Sequence, residues 1–159
     1  YGLNLIEGVI RILIFLTYVF SISRLEDIEK VFMYHGAEHK TIYAFESGEE
    51  LSVDNVKKYT RFHPRCGTSF LMFVMIISMF VFSFVTVKVW YMKMLYKILL
   101  MPLVAGLSFE FIKMAGRNIS NPVVGFFVKP GLWLQYITTR EPEDDQIEVA
   151  IKAVEEATR

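Results

Sequence analysis

Residues 69–87 read SFLMFVMIISMFVFSFVTV and contain no charged side chain. A helix of this length can cross the roughly 30 Å hydrocarbon core of a bilayer. The stretch therefore predicts a transmembrane helix, and it decides the fold class that we expect for the whole chain.

The composition of the 159-residue chain points the same way. Hydrophobic residues make up 53% of it and aromatic residues 15%, and the mean hydropathy is +0.38. A soluble domain of this size could not easily hide so much apolar surface from water. The net charge is zero, so no basic field indicates a nucleic-acid partner. The single cysteine excludes an internal disulfide and fits a reducing compartment.

Two further apolar stretches predict an all-α, polytopic integral membrane protein with about three transmembrane helices, forming a single membrane domain over 1–159. The first stretch carries only Glu7 and Arg11 as charges, and we expect these two to pair with each other. Because the sequence starts at Tyr1 and shows no signal-peptide pattern, we expect a fragment or a processed piece. The predicted spans are residues 3–22, 69–87 and 96–115.

The segment 23–68, between the first two predicted spans, is rich in basic residues. The loop before the third span has only Lys88 and Lys93. By the positive-inside tendency, 23–68 faces the cytoplasm, so we expect a multi-pass protein of the cytoplasmic (inner) membrane. The basic residues of the segment are Arg24, Lys30, Lys40, Lys57, Lys58, Arg61 and Arg65.

Local patterns predict further elements. A helix is expected over 25–46, ending near Gly48, and Ser52 is expected to cap a short helix. Prolines and glycines interrupt 118–139, which we interpret as an interfacial or re-entrant segment. The pattern over 142–158 predicts an amphipathic C-terminal helix that needs a docking partner.

The first motif with chemical content is His35-Gly-Ala-Glu38-His39. Residues four apart lie on one face of a helix, so both imidazoles can reach one ion. The pattern H-x-x-E-H inverts the zinc-protease motif, in which two histidines bind zinc and the carboxylate takes a proton from water. His35 and His39 are therefore predicted metal ligands, and Glu38 is the predicted general base.

The second motif is His63-Pro-Arg65-Cys66. His-x-x-Cys has metal-ligand spacing because a turn brings both donors together. Cys66 precedes the second predicted span, where helix-start amides and Arg65 favour its thiolate. We predict His63 and Cys66 as further ligands. Arg65 is the predicted catalytic residue that stabilises an oxyanion, with backbone amides near Gly67 as the alternative.

Other interpretations of these residues stay open. The histidines of the first motif can be hydrogen-bonded core residues, and Glu38 can be a surface acid paired with Lys40 or a neighbour. The second motif can be a turn packed on a helix, since free cysteines are often buried and inert. Glu110, in the third predicted span, is a candidate additional metal ligand, proton carrier or substrate contact. Alternatively, Lys113 neutralises it.

Three blocks of the sequence carry a resemblance to the YqhQ family of bacterial membrane proteins, which has related sequences in plastids. The family has no known reaction, and the resemblance implies a metal-dependent enzyme. It covers nearly all of the chain, although the Gly-rich block that usually precedes the first span is lacking. The blocks are YHGAEHKTIYAFESGEEL (34–51), RFHPRCGTSF (61–70) and PGLWLQYITTREPEDDQIEVAIKA (130–153). The implied metal-site residues are His35, Glu38, His39, His63 and Cys66.

These observations predict a membrane-embedded hydrolase that uses zinc or another divalent transition metal. Its substrate would be a membrane-associated peptide or a lipid-like molecule. The expected partners are the lipid bilayer and either other membrane proteins or further copies of this chain. Three alternatives stay open: a scaffold or partner protein with a four-coordinate structural zinc, a cysteine nucleophile with a histidine base and no metal, and ion transport through Glu110.

Overall fold

A computed structural model describes residues 2–118 and 121–159. No β-strand occurs within these ranges, so the all-α prediction is confirmed. The helices in them are α1 (Gly2–Ile22), α2 (Glu26–Glu46), α3 (Val53–Lys57), α4 (Gly67–Ser83), α5 (Trp90–Arg117), α6 (Pro122–Thr138) and α7 (Asp144–Ala157).

The helices form two groups, which we call the bundle and the cap. In the bundle, α4 packs against α1, α5 and α6, and α6 also contacts α1 and α5. In the cap, α2 packs against α7, and α3 contacts both. Each group has its own core, with Val19 and Leu134 in the bundle and Ala37, Val56 and Ile147 in the cap.

The helix expected over 69–87 is shorter than predicted, because α4 ends before residues 84–87. Its 17 residues rise about 25 Å, less than a hydrocarbon core of roughly 30 Å. The side-chain amide of Asn4 in α1 donates to the carbonyls of Phe82 and Val85, at 3.2 and 3.3 Å. These contacts satisfy carbonyls at the helix end, and the β-branched residues that follow are poor helix formers.

Two other helices are long and apolar enough to cross a membrane by length and composition. They are Asn4–Ile22 in α1 and Trp90–Arg117, which is α5, with mean hydropathies of 2.0 and 1.7. α5 begins at Trp90 and so is longer than the predicted span 96–115. Their apolar side chains are largely uncovered, and Ile14 and Leu99 are each 64% exposed.

The charges of α1 are paired. Glu7 forms the predicted ion pair with Arg11. Its carboxylate also lies 3.7 Å from the Lys93 ammonium and 3.4 Å from the Lys97 ammonium. The three cations come from α1 and α5, so Glu7 links these helices electrostatically.

The segment 118–139 is more regular than its sequence suggests where the structure describes it, which leaves out residues 119–120. We expected prolines and glycines to break it, but α6 is continuous. Pro122 lies in the first turn, where its missing N–H removes no helical hydrogen bond. Gly131 permits close packing on α4, because a Cβ there would lie 2.9 Å from the Cβ of Ser69. An interfacial or re-entrant position for this helix stays a prediction.

The helices of the 23–68 segment agree with the sequence. Gly48 follows α2 with φ at 70°, and the Gly48 and Glu49 amides bond back to carbonyls in the last turn. This is the pattern of a glycine C-cap. The Ser52 hydroxyl caps α3 by accepting the Asn55 N–H at 3.4 Å.

The predicted C-terminal helix over 142–158 is α7, which starts with a capping box between Glu143 and Gln146. Ile147, Ala150 and Val154 on its apolar face are buried, and Ile147 packs in the core that α7 shares with α2. The docking surface that we expected for this helix is therefore supplied by α2 and α3 of the same chain.

Gly36 marks a close approach between α2 and the chain that follows α6. A Cβ at this position would lie 2.1 Å from the backbone oxygen of Arg140, whose N–H donates to the Phe32 carbonyl at 2.8 Å. The Gly36→Ala variant must therefore displace backbone, at a cost of about 1–3 kcal/mol. We expect a lower midpoint of thermal unfolding for this variant in detergent.

Gly106→Ala is the matched control, because nothing lies within 4 Å of a Cβ at that position of α5. Alanine favours helix over glycine by roughly 1 kcal/mol, so the midpoint should hold or rise. Equal loss of stability in the two variants would contradict the packing described for Gly36.

Candidate metal centre

The residues of both sequence motifs line one open cleft of about 310 Å³ between α2 and the start of α4. α2 supplies the first motif, and the loop before α4 supplies the second. The lining residues are His35, Glu38, His39, Ile42, Glu46, His63, Arg65, Cys66 and Gly67.

His35, His39 and Cys66 form a compact group within this cleft. Their ligand atoms all lie within 4.8 Å of one another, and His35 Nε2 is 3.2 Å from Cys66 Sγ. Ligand atoms around a tetrahedral zinc ion are separated by roughly 3.5 Å, given bonds of about 2.0–2.3 Å. These three residues could therefore hold a metal ion.

Backbone carbonyls orient both imidazoles of the group. His35 Nδ1 lies 2.8 Å from the Thr138 carbonyl oxygen, and His39 Nδ1 lies 2.5 Å from that of Arg61. A carbonyl can only accept a hydrogen bond, so Nδ1 carries the proton in each ring. Nε2 then has a free lone pair in the neutral imidazole. Histidines that bind metals are typically oriented in this way.

Cys66 is the N-cap of α4, and its sulfur accepts the Thr68 N–H at 3.4 Å. Burial raises the pKa of this thiol, but the imidazoles of His35 and His39 and the Thr68 hydroxyl outweigh burial. Together they lower the pKa to about 5. Arg65, which we expected to favour the thiolate, instead pairs with Glu46.

His35 responds to the same contact with Cys66. Burial lowers the pKa of His35, yet the adjacent sulfur and the Thr138 carbonyl outweigh burial and raise it overall. The two shifts have one cause, because the Cys66 thiolate and the protonated His35 ring stabilise each other. A cation at this position would take the place of the proton between nitrogen and sulfur.

His63 lies in the cleft but outside the group of three. Its Nδ1 accepts the Arg65 N–H at 3.2 Å, so Nε2 carries the proton when the ring is neutral. Burial lowers the pKa of His63 to about 4, and the nearby His39 acts in the same direction. Nε2 is buried without a hydrogen-bond partner in the described residues, and the nearest carboxylate, Glu46, is 3.9 Å away.

Two carboxylates line the cleft. Glu38 is exposed at its rim. The proposed alternative, a pair between Glu38 and Lys40, is not observed, because the buried Lys40 ammonium pairs with Glu141 and donates to the Lys57 carbonyl. Glu46 was not singled out from the sequence as a site residue, although its spacing from His39 places it on the same side of α2.

Glu110 does not join the cleft. Its side chain is 68% exposed on α5 and lies 3.6 Å from the Lys113 ammonium. The neutralised pair that we held as an alternative is therefore observed, and the structure does not bring Glu110 to the other candidate ligands.

Gln135 is a positioning residue that the sequence did not reveal. It is fully buried in α6. Its side-chain oxygen accepts the His63 N–H at 2.8 Å, and its amide donates to the His63 carbonyl at 2.7 Å and to Ser69 Oγ at 2.8 Å. No motif identifies this residue, because it lies 72 positions from the loop that it holds.

The low pKa of Cys66 predicts the pH dependence of its reactivity. A thiol with a pKa near 5 is mostly thiolate above that pH, whereas an ordinary thiol needs a pH above roughly 8.5. Alkylation of metal-free protein by iodoacetamide should therefore stay fast at neutral pH and slow as the pH falls through about 5. In His35→Ala the transition should move upward. A wild-type transition near that of free cysteine would refute this electrostatic description.

Gln135→Leu tests the positioning of the loop. The variant leaves both main-chain groups of His63 without a partner, which costs about 1–3 kcal/mol for each buried group. We expect a lower unfolding midpoint and a higher pKa for the Cys66 thiol, measured by the same alkylation profile. Gln146→Leu, at another buried glutamine, should destabilise α7 without moving that pKa. A wild-type alkylation profile of Cys66 in Gln135→Leu would show that the loop does not need the hydrogen bonds from Gln135.

The chain is similar to a bacterial protein over almost its whole length. The uncharacterized protein YqhQ of Bacillus subtilis (strain 168) is 38% identical over 154 residues, which cover 97% of this chain and 48% of the relative. The chain thus spans about half the length of that relative. No solved structure matches this chain. A family model described as a protein of unknown function (DUF1385) matches residues 1–159, and the chain belongs to this family.

Proposed function

We propose that this protein is a membrane-embedded, zinc-dependent hydrolase. His35, His39 and Cys66 would hold the metal and leave a fourth position open. The observation that carries this proposal is the convergence of three donors, with both histidine Nδ1 atoms committed to backbone carbonyls. Nitrogen and thiolate donors suit zinc, and three protein ligands with an open position are typical of catalytic zinc sites.

A bound zinc ion would supply a Lewis acid and lower the pKa of water toward 7. Glu38, exposed at the rim of the cleft, would act as the general base that accepts the proton from the attacking water. Arg65 and the His63 Nε2–H, which has no partner in the part of the chain that the structure describes, would donate to the oxyanion that forms on the substrate.

The bilayer is the environment that best suits the bundle. In the apolar stretches of α1 and α5 only 11% and 22% of the residues are buried, whereas the core helix of a soluble protein is mostly buried. Lipid would cover these surfaces without cost. The basic residues of 23–68 support a cytoplasmic side for the metal site, and a multi-pass protein of the cytoplasmic membrane fits both features.

A closed, structural zinc site in a scaffold protein is the second candidate. The observation in its favour is His63, whose ring centroid lies 5.7 Å from that of His39 and whose Nε2 is buried with no hydrogen-bond partner among residues 2–118 and 121–159. Rotation of this ring and release of the Arg65 amide would offer a fourth ligand. The open site is favoured because the present tautomer makes His63 Nε2 a donor.

The zinc content of the purified chain tests the ligand set. We expect inductively coupled plasma mass spectrometry to find about one zinc ion per chain. The His35→Ala and Cys66→Ala variants should lose the metal. In His63→Ala the open site retains zinc, whereas the closed site loses it. Hydrolysis by a metal-free chain that still requires Cys66 would favour a cysteine nucleophile and overturn the proposal.

Glu38→Gln tests the general base. The variant should keep its zinc but lose about 10²–10⁴-fold in kcat on micellar ester and amide substrates. Glu49→Gln is the control, since Glu49 is an exposed acid just beyond α2 that does not line the cleft. Loss of zinc from Glu38→Gln would make Glu38 a ligand instead of a base.

A further inference from the structure

A second cleft, of about 530 Å³, shares Arg65, Cys66 and Gly67 with the metal-site cleft. It lies between the start of α4 and the end of α5. Its other lining residues are Phe70, Phe109, Ile112, Lys113 and Arg117. Apart from Arg65 and Cys66, its lining residues belong to neither sequence motif, yet anything bound in it would lie beside the sulfur of the candidate metal group.

The walls of this second cleft change from polar to apolar along the helix axes. Phe109, Lys113 and Arg117 follow each other at four-residue spacing, so they lie on one face of α5. Arg117 is in the last turn, and Phe109 lies about 12 Å deeper. On α4, Phe70 lies one turn inside the helix start. The cations are therefore at the end nearest Cys66, and the aromatic rings lie further into the bundle.

The charge of the second cleft is positive. None of the described residues that line it is acidic. Lys113 has a partner in Glu110, but both side chains are exposed, at 46% and 68%. Exposed ion pairs contribute little free energy, so Lys113 can leave Glu110 for a ligand anion at small cost. Within residues 2–118 and 121–159, no carboxylate pairs with Arg117.

Arg65 connects the two clefts. Its side chain lies across Gly116 of α5, where a Cβ would lie 2.6 Å from the Arg65 Cγ, and its guanidinium pairs with Glu46 of α2. The glycine thus leaves room for the arginine stem between the two spaces. A ligand anion at Lys113 and Arg117 would also lie near this third cation.

We infer that the second cleft binds an anionic phospholipid, with its phosphate at Lys113 and Arg117 and an acyl chain along Phe70 and Phe109. Cations beside an exposed apolar wall match an amphiphile, whereas a free phosphate would leave the aromatic wall uncovered. This deepens the proposed function by naming its substrate class. Hydrolysis of an ester bond in such a lipid would consume one water and release a carboxylic acid and an alcohol.

The test uses the full chain in a non-ionic detergent, with native mass spectrometry as the readout of binding. The probes are dihexanoyl phosphatidic acid, dihexanoyl phosphatidylcholine and inorganic phosphate. We expect the phosphatidic acid to bind at least tenfold more tightly than the other two. Arg117→Gln should weaken this binding by about fivefold, which is the effect of one cation near a lipid phosphate. Lys152→Gln, which removes an exposed charge from α7, should leave it unchanged.

Two outcomes would overturn the inference. Equal binding of phosphatidylcholine would show that charge is not recognised, and equal binding of inorganic phosphate would show a simple anion site. Zinc content, measured on the same samples, separates this inference from the proposed function. Lipid binding without zinc would refute the hydrolase alone, and zinc with no preference for the anionic lipid would refute the lipid site alone.

Discussion

The clamp between Gln135 and the main chain of His63 is the interaction on which the candidate site depends. One buried amide satisfies both the N–H and the C=O of His63, and it also bonds to Ser69 at the start of α4. A residue held at both main-chain groups has one orientation available. These bonds fix the loop that links the cap to the bundle. Cys66, three residues after His63, is therefore held next to His35.

The parts of this structure that follow local rules could be predicted from the sequence. The four-residue spacing of His35 and His39 and the cap at Ser52 depend only on helix geometry and neighbouring residues. The length of α4 could be predicted only in part, because one contact at its end comes from Asn4 in α1, 78 residues from Phe82. The carbonyls that orient the histidines were equally hidden, since every residue has a carbonyl and the sequence does not mark the one that is used.

Hydrogen bonds give the three histidines different chemistry in one cleft. His35 and His39 donate from Nδ1 to carbonyls, so each presents a lone pair at Nε2 when its ring is neutral. His63 accepts at Nδ1 from a backbone amide, so it presents a proton at the equivalent atom. Sequence patterns treat the three residues as equal candidates, and only the neighbouring main chain separates a ligand from a hydrogen-bond donor.

Lys40 gives the end of the chain a role in the centre of the cap. Lys40 follows His39 in the sequence, and only 4% of it is exposed. The counter-ion of its ammonium is Glu141, in the connection between α6 and α7. A buried cation without its counter-ion is strongly unfavourable. Cleavage upstream of Glu141 would therefore do more than remove a peripheral segment. It would leave the buried Lys40 ammonium without its counter-ion and so weaken the packing of α2, the helix that carries His35 and His39.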